Sequence, residues 1–203
     1  MNLYIETFGC QMNAADSQEM ADTFLKKGAR LTSERSLANV LILNTCTVRD
    51  HAEQKALSYL GRLKDWKKLD PERVLIVAGC AAERMKKDLK RRFPHVDLVV
   101  GAKKIEEFPQ IVDDFLETRD FDWVQESEKS FEESQSRNKG EPLVLGQEGE
   151  TAFVTIMRGC NYSCSYCIVP SVRGRESYRS PESILSEIPV SYTHLTLPTT
   201  PYV

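Results

Sequence analysis

Val40-Leu41-Ile42-Leu43-Asn44-Thr45-Cys46 decides the fold of this chain. Four consecutive aliphatic residues leave no polar face, as expected of a strand covered on both sides in a parallel sheet. The pattern returns at Val74-Leu75-Ile76-Val77-Ala78-Gly79-Cys80, and Leu3-Tyr4-Ile5-Glu6-Thr7-Phe8-Gly9 runs into Cys10 in a less apolar version. Helical spacing fills the intervals. One helix is predicted from about Asp16 to Lys27, with Met20, Ala21, Phe24 and Leu25 on one face and Gly28 as its stop. A second runs from near Arg49 to Trp66 through Ala52, Ala56, Leu57, Leu60 and Leu63, and a third from about Ala82 to Arg92, ending before Pro94. Val96 to Val100 reads as a strand closed by Gly101, and Lys104 to Leu116 as a helix that Pro109 disturbs. The alternation predicts an α/β fold with an open parallel sheet over residues 1–117.

Each of the three strands ends at a cysteine. Carboxyl ends of parallel strands share one edge, where ligands bind, so Cys10, Cys46 and Cys80 are expected to converge. The alternative is that each is a small buried hydrophobe; three in one structural position favour a shared metal or cluster.

The rest of the chain divides by composition. Residues 118–150 are rich in Glu, Ser, Lys, Gln and Asn and read as a linker; its Phe121, Trp123 and Phe131 suit packing better than base stacking. Residues 151–188 begin a second α/β unit: Thr151 to Met157 reads as a strand, and Ser180-Pro181-Glu182 opens a helix with apolar Ile184, Leu185 and Ile188. Residues 189–203 contain no Asp, Glu, Lys or Arg and read as a foreign or frameshifted tail that does not continue the helix.

Between that strand and helix lies Arg158-Gly159-Cys160-Asn161-Tyr162-Ser163-Cys164-Ser165-Tyr166-Cys167. Three thiolates in one loop are one short of the four that complete a [4Fe–4S] site. Either a fourth ligand comes from elsewhere or one iron stays open. Structural zinc usually takes two separated pairs of ligands, and the histidines serve it poorly: His51 and His95 read as surface residues, and His194 lies in the tail. Arg173, Arg175 and Arg179 beyond the loop suit phosphates, a carboxylate or a structural role. Lys86 to Arg92 reads as a solvated helix face rather than an RNA patch.

With 203 residues, 41% hydrophobic and 28% charged, the composition is that of a soluble globular protein. The net charge of −3 gives no global signature of nucleic-acid binding, so an RNA contact has to be local. The first residues lack a signal peptide's pattern and no apolar run reaches bilayer length. Cytoplasmic localisation follows, and there disulfides are rare.

The C-x3-C-x2-C triplet resembles the radical S-adenosylmethionine superfamily. Read with Gly9-Cys10-Gln11-Met12-Asn13, Asn44-Thr45-Cys46-Thr47-Val48-Arg49, Ala78-Gly79-Cys80 and Tyr166-Cys167-Ile168-Val169-Pro170, the chain is similar to the methylthiotransferases over residues 1–188. Gln11-Met12-Asn13 favours the branch acting on N6-isopentenyl(dimethylallyl)adenosine beside the anticodon of tRNA. Branches acting on threonylcarbamoyladenosine or a ribosomal-protein aspartate are the alternatives, as is a non-catalytic iron–sulfur or zinc module.

The resemblance implies a two-cluster enzyme. Cys160, Cys164 and Cys167 would hold the radical-generating [4Fe–4S] cluster and Cys10, Cys46 and Cys80 an auxiliary one that carries the transferred sulfur. S-adenosylmethionine would be the source of both radical and methyl group, with Tyr166 against its adenine. tRNA would be the substrate, a flavodoxin or ferredoxin the electron donor, and the protein a monomer. Residues 151–188 would start a partial TIM barrel. Such a barrel needs some 200 residues, so the chain is expected to be an inactive fragment.

Overall fold

The computed structural model describes residues 1–118 and 153–194, the side chains of 189–194 excepted. In chain order the first segment contains β1 (Asn2–Thr7), α1 (Gln11–Leu25), β2 (Arg30–Leu31), β3 (Val40–Thr45), α2 (Asp50–Leu69), β4 (Val74–Gly79), α3 (Cys80–Met85), α4 (Lys87–Arg92), β5 (Leu98–Gly101) and α5 (Phe108–Thr118). The five strands form one sheet in the order β2-β1-β3-β4-β5, every pairing parallel.

Every residue of β3 and β4 is buried, as their uninterrupted apolar runs require. Alternate residues serve opposite faces. Val40, Ile42, Val74 and Ile76 pack with Met20 and Phe24 of α1 and Phe108, Val112 and Leu116 of α5. Leu41, Leu43, Leu75 and Val77 pack with Leu57, Leu60, Leu63 and Trp66 of α2 and Leu89 of α4. Full burial of each such side chain is worth about 1.5–3 kcal/mol, so two facing layers hold the sheet. β1 and β3 form the point where the winding reverses, which leaves a crevice at their carboxyl ends.

Several expected boundaries move. α1 begins at Gln11, directly after Cys10, and the edge strand β2 pairs only two residues. The single helix expected over 82–92 is two, because Lys86 takes φ 43° and ends α3 after one and a half turns. β5 starts at Leu98, and α5 starts at Phe108 with Pro109 as its second residue. Proline costs a helix little there, where its missing N–H has no partner to lose. Pro109 therefore belongs to the helix start rather than disturbing its middle.

The second segment contains β6 (Met157–Arg158), α6 (Val169–Arg173), β7 (Ser177–Tyr178) and α7 (Pro181–His194). The strand expected from Thr151 is confined to β6 among the described residues, and it pairs antiparallel with β7. Among the described residues of this segment no parallel strand pair is formed. Ser180 caps α7, its Oγ accepting the Ser183 N–H at 3.2 Å. Leu185 and Ile188, expected as an apolar face, are exposed. The helix also crosses Pro189 and ends at His194, so the change in composition at 189 is not a break in secondary structure. The linker beyond Thr118 and the tail beyond His194 lie outside the described residues. Of the histidines, His51 is exposed as expected, but His95 is half-buried, with Nε2 2.9 Å from the Leu60 carbonyl and its ring edge-on to Phe93. The turn from Phe93 to Val96, closed by the Val96 N–H on the Phe93 carbonyl at 3.1 Å, folds it back onto α2.

Candidate functional site

The sheet carries three cysteines to its carboxyl edge. Cys10 precedes α1 with an extended backbone, and its carbonyl accepts the Asn13 and Ala14 N–H groups at 2.9 and 3.2 Å. Its thiol is exposed and donates to Asn13 Oδ1 at 3.3 Å. Cys46 follows β3 and Cys80 opens α3, each 1% exposed. The pairing of Thr45 with Gly79 brings these two side by side. Gly9 completes the approach: a Cβ on it would lie 2.8 Å from the Cβ of Cys46, so the chain beside Cys10 rests on Cys46.

Two buried asparagines brace the edge. Asn13 Nδ2 donates to Asn44 Oδ1 and to the Thr45 carbonyl, both at 3.0 Å. Asn44 Nδ2 donates in return to the Asn13 carbonyl at 2.8 Å and to Ser17 Oγ at 2.9 Å. The Thr45 hydroxyl donates to the Ala78 carbonyl at 2.6 Å and accepts the Ala82 N–H at 3.3 Å. The three cysteine-bearing turns are thus tied together through the residues that flank the thiols. Gly79 adopts φ 96°, and a Cβ there would come within 2.3 Å of the Thr45 carbonyl oxygen.

The second triplet occupies the loop between β6 and α6. The Cys160 N–H donates to the Gly174 carbonyl at 3.1 Å and the Cys167 N–H to the Cys164 carbonyl at 3.0 Å. Cys164 is exposed, while Cys160 and Cys167 are half-buried. Tyr166 points away from protein contacts, 91% exposed. All six cysteines are free thiols. Among the described residues no three His, Cys, Asp or Glu side chains close into a metal-holding group. The structure therefore brings Cys10, Cys46 and Cys80 to one edge and Cys160, Cys164 and Cys167 into one loop, with neither set drawn tight. Free thiols in threes, on turns of separate elements, have the donor chemistry of an iron–sulfur site.

A buried carboxylate, which sequence reading missed, joins the two sets. Asp16 of α1 is fully buried and pairs with Arg158 of β6 and with Arg173 of α6, the latter at 2.8 Å. Arg158 also meets Glu19 at 2.5 Å and Glu106 at 3.5 Å. Beside Arg173 on α6, Val172 packs against Cys80, and the Arg173 guanidinium lies near enough to act on that thiol. Burial pushes the Cys80 thiol up from its ordinary range, and the Arg173 guanidinium pulls against that rise. Burial would lower Arg173, but the charges of Asp16 and Cys80 outweigh it and raise the group. Of the arginines singled out in the sequence, Arg173 thus meets a carboxylate and Arg179 pairs with Glu187 at 2.6 Å, whereas Arg175 is exposed. No local pattern betrays Asp16, whose partners are 142 and 157 residues away.

A family model described as the uncharacterized protein family UPF0004 matches residues 2–101, which is the sheet and the edge that carries Cys10, Cys46 and Cys80. A protein of Syntrophobacter fumaroxidans named tRNA-2-methylthio-N(6)-dimethylallyladenosine synthase is 44% identical over 186 residues, covering 92% of this chain and 40% of the relative. Proteins of the same name from Acidithiobacillus ferrooxidans and Clostridium botulinum are 42% and 40% identical, over 92% and 91% of this chain and 41% and 40% of the relatives. The chain is thus similar to UPF0004 proteins over its sheet and to these synthases over about nine-tenths of its own length. It spans about two-fifths of the length of these curated relatives. As in the methylthiotransferase reading of the sequence, the matched region includes both cysteine triplets. Among the described residues no helix is long and apolar enough to cross a membrane.

Proposed function

We propose that this chain belongs to an enzyme that 2-methylthiolates N6-isopentenyl(dimethylallyl)adenosine beside the anticodon of tRNA. The observation that carries the reading is the meeting of the two cysteine-bearing segments: Arg173 of α6, the element after Cys167, pairs with buried Asp16 of α1, and Val172 beside it packs against Cys80. The names of the relatives supply the substrate class.

Cys160, Cys164 and Cys167 would hold one [4Fe–4S] cluster and Cys10, Cys46 and Cys80 a second. Bound there with S-adenosylmethionine and reduced by a flavodoxin- or ferredoxin-type donor, these groups supply radical generation, the sulfur and the methyl group. The chain's own residues do the positioning. Asn13 and Asn44 fix the turns of Cys10 and Cys46, and Asp16 fixes Arg158 and Arg173 so that the second loop lies over the sheet edge. Tyr166 is free to stack on an adenine, the ring being unpacked in the protein itself. The protein is proposed to act as a cytoplasmic monomer.

Nucleoside mass spectrometry of tRNA tests the reading. Deleting the gene that encodes this chain should abolish 2-methylthio-N6-isopentenyladenosine and leave its unmethylthiolated precursor. An unchanged level of the modified nucleoside would reject this substrate.

A further inference from the structure

The chain carries a net charge of −3, yet five of its lysines surround one groove. Lys86 lies at the break between α3 and α4, Lys87 and Lys90 lie on α4, and Lys103 and Lys104 lie in the helical turn Ala102–Lys104 after β5. The parallel pairing of Gly79 with Gly101 sets the two groups beside one another. The groove has a volume of about 540 Å³, with Ala82, Leu98 and Val99 as an apolar floor and Glu83 as the single carboxylate in its lining. Glu83 is buried and pairs with Lys86 at 3.0 Å and more loosely with Lys103 at 3.9 Å. Lys104 reaches Glu107 at 3.5 Å, across exposed surface. Lys87 and Lys90 are exposed and have no ion-pair partner among the described residues. Five ammonium groups against Glu83 in the lining and Glu107 beside it make a local positive field that the overall composition conceals.

The groove leads toward the cysteines. Lys103 also lines a second cleft, of about 220 Å³, with Arg158, Arg173, Gly174, Arg175 and one carboxylate, Glu106. Arg175 is exposed, and the Gly174 carbonyl holds the N–H of Cys160. A basic track therefore runs from α4 past the turn after β5 to the loop of the second triplet. We propose, against the reading of Lys86 to Arg92 as a merely solvated face, that this track binds the phosphate backbone of an RNA strand and leads it to the cysteine edge, with the apolar floor receiving a ribose or base. This rests on the reading of the substrate as tRNA. An RNA fits better than an acidic protein because the cations are strung in series along a groove with an apolar floor, which suits a chain of evenly spaced phosphates that carries bases.

Fluorescence anisotropy of the full 203-residue chain with a labelled anticodon stem-loop RNA, titrated at several salt concentrations, tests the proposal. Each phosphate contact contributes about 0.7–0.9 to the slope of log affinity against log salt. Lys87→Gln with Lys90→Gln should therefore lower that slope by roughly 1.4–1.8. Both side chains are exposed, so folding should be unaffected, as circular dichroism would verify. The same charge change on the outer face of α2, Lys55→Gln with Lys64→Gln, should leave the slope unchanged. An equal fall in both variants, no fall in the groove variant, or absence of salt-dependent RNA binding would overturn the proposal. So would binding of a polyglutamate peptide through Lys87 and Lys90 in place of RNA. The iron content of the same preparations separates this result from the proposed chemistry. Loss of lysine dependence with iron bound removes the track alone, whereas lysine-dependent binding without iron keeps the track and removes the chemistry.

Discussion

Replacing Asp16 by Asn isolates the charge that holds the two segments together. The carboxylate is fully buried, and the side chains of Arg158 and Arg173 are only 12% and 8% exposed. Asn keeps the shape and one acceptor but leaves two guanidinium groups with little water and no central counter-charge. Removing one partner of a buried pair costs about 3–5 kcal/mol, because the remaining charge is stranded. Glu19 cannot replace it: its side chain is 41% exposed, where an ion pair is worth at most about 1 kcal/mol. The sheet core does not include Asp16, so the cost should fall on docking of the second segment. Hydrogen exchange read by mass spectrometry reports such local opening. A loss of about 3 kcal/mol raises the opening constant by roughly a hundredfold. Amides of the second segment that bond within it, at Cys160 and Arg179, should exchange faster by that order, while those of β3 and β4 should not change. Equal acceleration in β3 and β4 would refute the assignment of Asp16 to docking, as would unaltered exchange at Cys160 and Arg179.

Gly79→Ala should destabilise the first segment by about 2 kcal/mol or more, read from the urea midpoint, since the new methyl meets the Thr45 carbonyl at a φ that side chains avoid. Asn44→Ala should cost a similar amount by leaving Asn13 and Ser17 partly unsatisfied inside the protein, and the same titration measures it. Asp22 carries a pKa raised above 3.8, chiefly by burial, with Lys26 opposing. A raised carboxylate favours the folded state at low pH, and that contribution is lost as pH rises through its folded pKa. Asp22→Asn should therefore gain stability relative to the parent as pH rises from about 4 to neutrality, and a constant difference across that range would contradict the shift.

The sheet could be read from the sequence because β3 and β4 are buried on both faces, and only unbroken aliphatic runs satisfy that. Element ends were less legible. Lys86 breaks a helix although lysine is an ordinary helix former, and nothing local marks its φ of 43°. Pro109 carries a strong signal, but its effect depends on whether it stands first or mid-helix, and the turn before it decides that. The cysteines were visible from spacing alone. Their bracing was not: Asn13 and Asn44 look like ordinary polar residues of a motif until the register of β1 and β3 sets them face to face. Asp16 was invisible for the same reason, its partners coming from the far side of the linker. Lys103 and Lys104 gained meaning only once β5 lay beside β4 and placed them against α4.

Iron and acid-labile sulfide, counted after anaerobic reconstitution of the whole chain and of two triple variants, test the central claim most directly. The parent chain should bind about eight irons and eight sulfides. Replacing Cys10, Cys46 and Cys80 by Ala should leave about four, and replacing Cys160, Cys164 and Cys167 should leave the other four. Zinc in place of iron, or a parent chain whose iron is unchanged by either replacement, would contradict the assignment of two clusters to these six thiols.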